Sequence, residues 1–264
     1  MIICNHTHPD YPDHWLIVKQ SDHDDHCGLI ATHLNGAHLW QPWDTRLFSL
    51  AAAMHDTGSA MWEDYPLINA AGEPWTYWTM PPDDHIELHK IGVAEARKVH
   101  PYVALLISMH VVGIHRDRLH IDLQPNRWHI PEVDTPKVLA FIAEQETLQH
   151  ELRAQLPTLG DVSLMNDYKL QEVIDILSTQ FSACGLGARE MAYVPDPLGQ
   201  PFTLSVQQAG PWDMRMSAFL FEGDRFECPC VGRLLPKRVY ADDTDFRLAW
   251  YAAPSRVLPY AFVR

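Results

Sequence analysis

A chain of 264 residues can bury a substantial core, so neither a metal nor a disulfide is needed merely to fold it. A hydrophobic share of 47% beside 20% charged residues excludes wholesale disorder, and no run of about 18 apolar residues marks a membrane span. The formal net charge of −14, without a basic cluster, sets aside nucleic acid and anionic membranes as partners and leaves a small molecule as the expected one.

The opening string MIICNHTHPDYPDHW lacks the basic start and apolar stretch of a signal peptide, which predicts a cytoplasmic protein. The apolar run from His14 to Gln20 predicts a strand. It leads into a helix that starts at Ser21 or Asp22, carries His23 and His26, and ends around Asn35-Gly36. The next helix begins at Asp44-Thr45, with Leu47, Leu50, Ala51 and Met54 at helical spacing, and stops near Gly58. This places His55-Asp56 in its last turn. Between Pro66 and Pro82 lies an aromatic-rich loop with Trp75, Tyr77 and Trp78, and Trp62, Tyr77 and Trp78 are candidates to wall a substrate cavity.

Helices are predicted from Pro82 to Val99 and from Pro101 onward, the second with an apolar stripe of Leu105, Leu106, Met109 and Val112 beside His110. A polar loop through Pro125 and Pro131 precedes a helix from Thr135 to Gln155. A last strong helix runs from Ser163 to Ala183 with Leu170, Val173, Ile174, Leu177 and Phe181 on one face. Beyond Gly185, short apolar segments punctuated by Gly and Pro (Phe202–Val206, Met214–Phe221, Arg233–Tyr240) read as strands. The expected architecture is a mainly helical bundle over 1–185 with a small β-rich region over 186–264, which shapes an entrance or mediates a homodimer.

Five cysteines, odd in number and irregularly spaced, define no disulfide framework, and Cys228-Pro-Cys230 lacks the second pair a zinc site needs. Histidine is the outlier: sixteen are present, several beside aspartates. Imidazole is the commonest metal ligand. Adjacent helical residues point about 100° apart, so His55 and Asp56 reach one ion only at a helix end or inside a bundle, where facing helices supply further donors. Mixed imidazole and carboxylate sets suit one or two divalent transition metals (Fe, Mn, Zn, Co or Ni) and leave positions open for water and substrate. Asp22, Asp25 and Ser108 are candidates to orient the ligand rings. His26, His33, His38, His100, His120, His129 and His150 read as solvated or satisfied core residues.

The ordered series His23, His55-Asp56 and Asp175, the last in Val173-Ile-Asp-Ile-Leu-Ser178, resembles the HD superfamily, named for its His-Asp pair. Gln20-Ser-Asp-His23, Met54-His-Asp-Thr-Gly58, Gly72-Glu-Pro74 and the string from Pro101 to His110 look like an uncharacterised bacterial branch of it, from which no activity carries over. The resemblance implies one or two divalent metals in a helical core. In binuclear members two further histidines complete the site, for which His110 and either His85 or His89 are candidates, with His85 preferred.

The commonest activity implied is hydrolysis of a phosphoester or related bond. His115, Arg116 and Arg118 are candidate catalytic residues and Lys90 a further cation for phosphate oxygens. The lysine that many such hydrolases carry soon after the His-Asp pair is missing here. An HD-type diiron oxygenase that activates dioxygen is the alternative, and a non-catalytic metal- or ligand-binding module is a third reading.

Overall fold

The computed structural model describes residues 2–5, 8–118, 135–182 and 188–264. The predicted loop through Pro125 and Pro131, together with His120, His129 and Cys184, lies outside these, as do the side chains of Cys4 and Arg118.

The chain opens with strands β1 (Ile2–Asn5) and β2 (His14–Lys19), then helices α1 (Gln20–Thr32), α2 (Thr45–Ala52) and the short α3 (Ala60–Glu63). Four long helices follow: α4 (Pro82–Val99), α5 (Pro101–Arg118), α6 (Thr135–Ala154) and α7 (Asp161–Ser182). The remainder forms β3 (Arg189–Pro195), β4 (Pro201–Gln208), β5 (Asp213–Met216), β6 (Arg225–Glu227) and β7 (Cys230–Pro236). Helix α8 (Asp243–Ala252) and strands β8 (Ser255–Leu258) and β9 (Ala261–Val263) complete it.

The expectation of a mainly helical bundle with a small β region is overturned. Two sheets flank the helices, one of four strands in the order β1-β2-β7-β8 and one of five in the order β3-β4-β5-β9-β6, so the fold is mixed α/β. The C-terminal strands are also not a separate layer of the chain. β7 pairs antiparallel with β2, Trp15 opposite Leu235 and Ile17 opposite Arg233, so residues from both ends build one sheet.

The physical reason lies in β2. Its run of four buried residues alternates between two cores: Leu16 and Val18 face the main helical core, whereas Trp15 and Ile17 pack with Leu235, Tyr240, Phe246 and Trp250. A strand covered on both faces loses the polar alternation that marks a half-exposed one. Phe246 and Trp250 belong to α8, whose start is capped by Asp242 accepting from the Asp245 N–H at 2.8 Å.

Helix α5 is buried on nearly every side, from Tyr102 through Ser108 and from His110 to Val112. The stripe expected on it is therefore one part of a fully enclosed surface. Helix α2 starts where predicted, with the Asp44 carboxylate accepting from the N–H groups of Arg46 and Leu47 at 3.0 Å each. It ends earlier, at Ala52. Residues 53–56 form a turn whose Met54 and Thr57 N–H groups bond the carbonyls three residues back, so His55-Asp56 lies beyond the helix and not in its last turn. Among the described residues no helix is long and apolar enough to cross a membrane.

Candidate metal centre

Three elements and a turn bring the central side chains together: α1 carries His23, the turn after α2 carries His55 and Asp56, α5 carries His110 and α7 carries Asp175. The 3-10 turn Thr57–Ser59 that follows Asp56 directly is pressed onto α4 at Gly58, where an added Cβ would lie 1.9 Å from the Leu88 carbonyl oxygen. Only glycine allows that approach. At the other end, the buried Glu63 carboxylate accepts from the backbone of Gln20 and from the Ser21 hydroxyl, tying α3 to the start of α1. An anion at a helix N-terminus meets unpaired N–H groups and the positive end of the helix dipole.

Within this frame His23 Nε2 lies 3.0 Å from Asp175 Oδ1 and 3.3 Å from His55 Nε2, and His55 Nε2 lies 3.6 Å from the same carboxylate oxygen. His55 Nε2 is also 3.7 Å from Asp56 Oδ2, and His110 Nε2 is 3.9 Å from Asp175 Oδ2. Two groups are thereby positioned to hold a metal ion, one of His23, Cys27, His55 and Asp175 and one of His55, Asp56 and His110. Cys27 is the weakest member. Its Sγ is 3.7 and 3.9 Å from the two nitrogens of His23, and such near-equal distances put the sulfur beside the ring, off the Nε2 lone-pair direction.

The far nitrogens of both central imidazoles are tied. His55 Nδ1–H points to the Ala52 carbonyl at 2.8 Å and Asp24 Oδ1 at 3.0 Å, and His23 Nδ1 lies 2.7 Å from Ser178 Oγ. Asp24 also accepts from the Asp56 N–H at 3.0 Å, and Gln20 Nε2–H donates to Asp56 Oδ2. Fixing Nδ1 leaves Nε2 as the nitrogen turned to the centre, the pattern that second neighbours impose on metal-bound histidines. This is the fit a cation requires: carboxylates and imidazoles converge, and each central ring is oriented from behind.

Electrostatics agree with the geometry. Desolvation pushes His23 and His55 down, yet the facing groups, Cys27 and Asp175 for His23 and Asp24 and Asp56 for His55, outweigh it and hold both imidazoles well above their usual range. Burial likewise opposes ionisation of Asp175, but its hydrogen bonds to His23 and His55 hold it well below the usual carboxylate range. Burial raises the Asp56 carboxyl. Burial, then repulsion from His55, lowers His110 to about 3. The centre is closed on most sides: the side chains of His23 and His55 are 1% exposed, but that of Asp175 is 25% exposed, which marks the open side.

Of the other predicted residues, His89 and His115 form a buried pair, Nδ1 to Nε2 at 3.0 Å, and His85 stacks on His89 with centroids 5.3 Å apart. None of the three belongs to either metal-holding group. Burial, then repulsion from His115, His110 and His55, holds His89 well below the usual range. Burial lowers His115 to about 4. Arg116 pairs with Glu146 and Lys90 with Glu144 at 2.8 Å, both on α6. Tyr77 packs against His85 at 4.6 Å, and Trp62 and Tyr77 cover Met80 and Leu88.

The orienting residues differ from those expected. Asp25 is exposed, and Ser108 donates to Gln145 on α6. Gln20, Asp24 and Ser178 hold the site instead. Gln20 and Asp24 are four apart on α1, and Ser178 is three after Asp175 on α7, spacings that share a helix face and could have marked them. Arg189 on β3 was also passed over. It is half-buried, and Asp175 is among the charges that act on it.

The family model described as "Protein of unknown function (DUF3891)" matches residues 3–237. The chain belongs to that family. No curated protein and no solved structure matches it. The DUF3891 match spans every residue of the centre and also β7, so the β2–β7 pairing lies inside the family's common region.

Proposed function

We propose that this protein is a metal-dependent hydrolase of a small phosphoester or related substrate, with a centre of the HD kind. One observation carries the reading: His23 Nε2, His55 Nε2 and Asp175 Oδ1 meet within 3.0–3.6 Å, each imidazole oriented from its far nitrogen, on a carboxylate that keeps an open side. A divalent transition metal (Fe, Mn, Zn, Co or Ni) held there would supply Lewis acidity and an acidified water.

The protein's own residues do the rest. His23, His55 and Asp175 bind the ion, Asp24 and Ser178 orient the rings, and Asp56, its carboxyl raised by burial, accepts or returns a proton at Oδ1 while Gln20 holds Oδ2. Arg189, within the field of Asp175, is a candidate cation for an anionic substrate.

A dioxygen-activating diiron centre is the second reading. It is favoured by the second group, His55, Asp56 and His110, and by the engagement of Lys90 and Arg116 with α6 carboxylates. A closed, purely structural site is disfavoured by the exposure of Asp175.

The test is elemental analysis of protein purified with and without air, paired with turnover of a phosphodiester panel. Bound metal with oxygen-indifferent phosphate release supports hydrolysis; two irons with oxygen uptake replace it by the second reading. Absence of stoichiometric metal under both conditions, unchanged on adding Mn²⁺, Co²⁺ or Fe²⁺, overturns both.

A further inference from the structure

A line of short hydrogen bonds runs behind the centre from the C-terminal part of the chain to His23. The Cys228 carbonyl oxygen lies 2.8 Å from His26 Nε2, His26 Nδ1 lies 2.7 Å from Ser178 Oγ, and the same oxygen lies 2.7 Å from His23 Nδ1. His23, His26, Ser178 and Cys228 are all buried. Cys228 sits between β6 and β7, and its own N–H donates to the Tyr260 carbonyl at 2.9 Å, which fixes the peptide.

Elementary bookkeeping of protons gives this line a direction. A carbonyl only accepts, so His26 carries a proton on Nε2. The ring packs near Phe181 and Tyr260, at 5.9 and 6.0 Å between centroids, and its hydrogen-bond partners are a hydroxyl and a carbonyl. A buried imidazole without a carboxylate partner stays neutral, so His26 Nδ1 is a bare acceptor. The single proton of Ser178 Oγ therefore goes to His26. The Ser178 oxygen is left to accept, and what it accepts is His23 Nδ1–H. His23 Nε2 is then the position from which a proton leaves when a cation arrives.

We propose that His26 and Ser178 are positioning residues of the metal centre: through them the Cys228 carbonyl sets the tautomer of His23, so that its Nε2 faces the ion. The proposal rests on the metal reading above. It gives His26, three residues after His23 on the same helix, a task other than ligation. It also explains why a ligand on α1 depends on a peptide more than 200 positions away (|i−j| = 202 for His26 and Cys228). Without the line, the neutral His23 left once that proton departs divides between tautomers, and apparent metal affinity falls in proportion to the fraction that keeps Nε2 bare.

The experiment measures Co²⁺ affinity by calorimetry for the wild type, Ser178→Ala, Ser178→Thr, His26→Phe and the Ser178→Ala/His26→Phe double variant. It adds nitrogen-15 spectra of the histidine rings in the metal-free and Zn²⁺-loaded protein. Ser178→Ala should bind about 10- to 100-fold more weakly, as expected for loss of an outer partner, while Ser178→Thr, which keeps the hydroxyl, restores binding. His26→Phe should weaken binding too, but cost nothing further in the Ser178→Ala background, because its influence passes through Ser178. The spectra should show His26 protonated on Nε2 in both states.

Unaltered affinity in Ser178→Ala, losses that add in the double variant, or His26 protonated on Nδ1 would each overturn the proposal. Should His26→Phe not fold, the two Ser178 variants and the spectra decide. Failure of the wild type itself to take up Co²⁺ would instead sink the metal reading, and this proposal with it.

Discussion

Two aspartates stand eight positions, or about 12 Å, apart on α7 and do opposite work. Asp167 is fully buried and accepts from the Tyr102 hydroxyl at 2.7 Å, the Trp40 indole N–H at 2.7 Å and the Trp43 backbone N–H at 3.2 Å. Its donors are all neutral, and burial outweighs them, so its carboxyl sits above the usual range. Asp175 meets imidazole nitrogens, keeps an open side, and is held well below that range once those bonds outweigh burial. A buried carboxylate saturated by neutral donors is a strut that ties α7 to α5 and to residues 40–43. One faced by oriented imidazoles is a ligand in waiting. Burial alone does not separate the two; the chemistry of the partners does.

Substitutions should part them cleanly. Asp175→Ala removes the oxygen that faces both central histidines and should lower Co²⁺ affinity by about 100-fold or more, beyond the loss typical of an outer partner. His55→Ala should do the same. Asp167→Ala should leave Co²⁺ affinity of the folded protein unchanged. It strands three donors instead, and at about 1–3 kcal/mol for the buried Tyr102 hydroxyl and about 1 kcal/mol for each half-buried tryptophan N–H the loss of stability should be about 3 to 5 kcal/mol in urea titration. Retained metal binding in Asp175→Ala would show that the ion lies elsewhere.

Tyr102→Phe is a milder cut at the same strut. It deletes one donor to a charged acceptor and leaves the other two, so about 2 kcal/mol should be lost, again with Co²⁺ affinity intact. A loss as large as that of Asp167→Ala would mean that the phenol, and not the carboxylate, is the centre of the network.

How much of this was legible beforehand follows the range of the forces involved. The long helices were readable within a few residues, because caps and apolar periodicity are local: Pro82 and Pro101 open α4 and α5 as their fixed geometry dictates. The ordered donors His23, His55, Asp56, His110 and Asp175 were readable too, and the structure brings them together. The sheets were not, because β2 meets β7 across the whole chain and its two buried faces erase the alternation that would betray pairing. Helix α8 was missed although Asp242 caps it, since its ten residues are too few for periodicity to stand out against neighbouring turns. The roles of Asp24, Ser178 and His26 lie in partners far along the sequence, which local spacing does not reveal.

The smallest effect should be the most discriminating, because it has opposite signs at the two aspartates. Asp175 has a depressed pKa in the folded protein, so its contribution to stability is present above the unfolded carboxylate value of about 3.9 and is lost as pH falls through the folded value. Asp167 has a raised one, so its contribution is present below about 3.9 and is lost as pH rises through the folded value. Urea titrations of metal-free wild type, Asp175→Asn and Asp167→Asn across mildly acid pH read both. The gap between wild type and Asp175→Asn should widen as pH climbs toward about 4 and then level off, while the gap to Asp167→Asn should be level below about 4 and narrow above it. Parallel slopes would mean that the two carboxylates share one electrostatic environment, and the division between strut and ligand would fall.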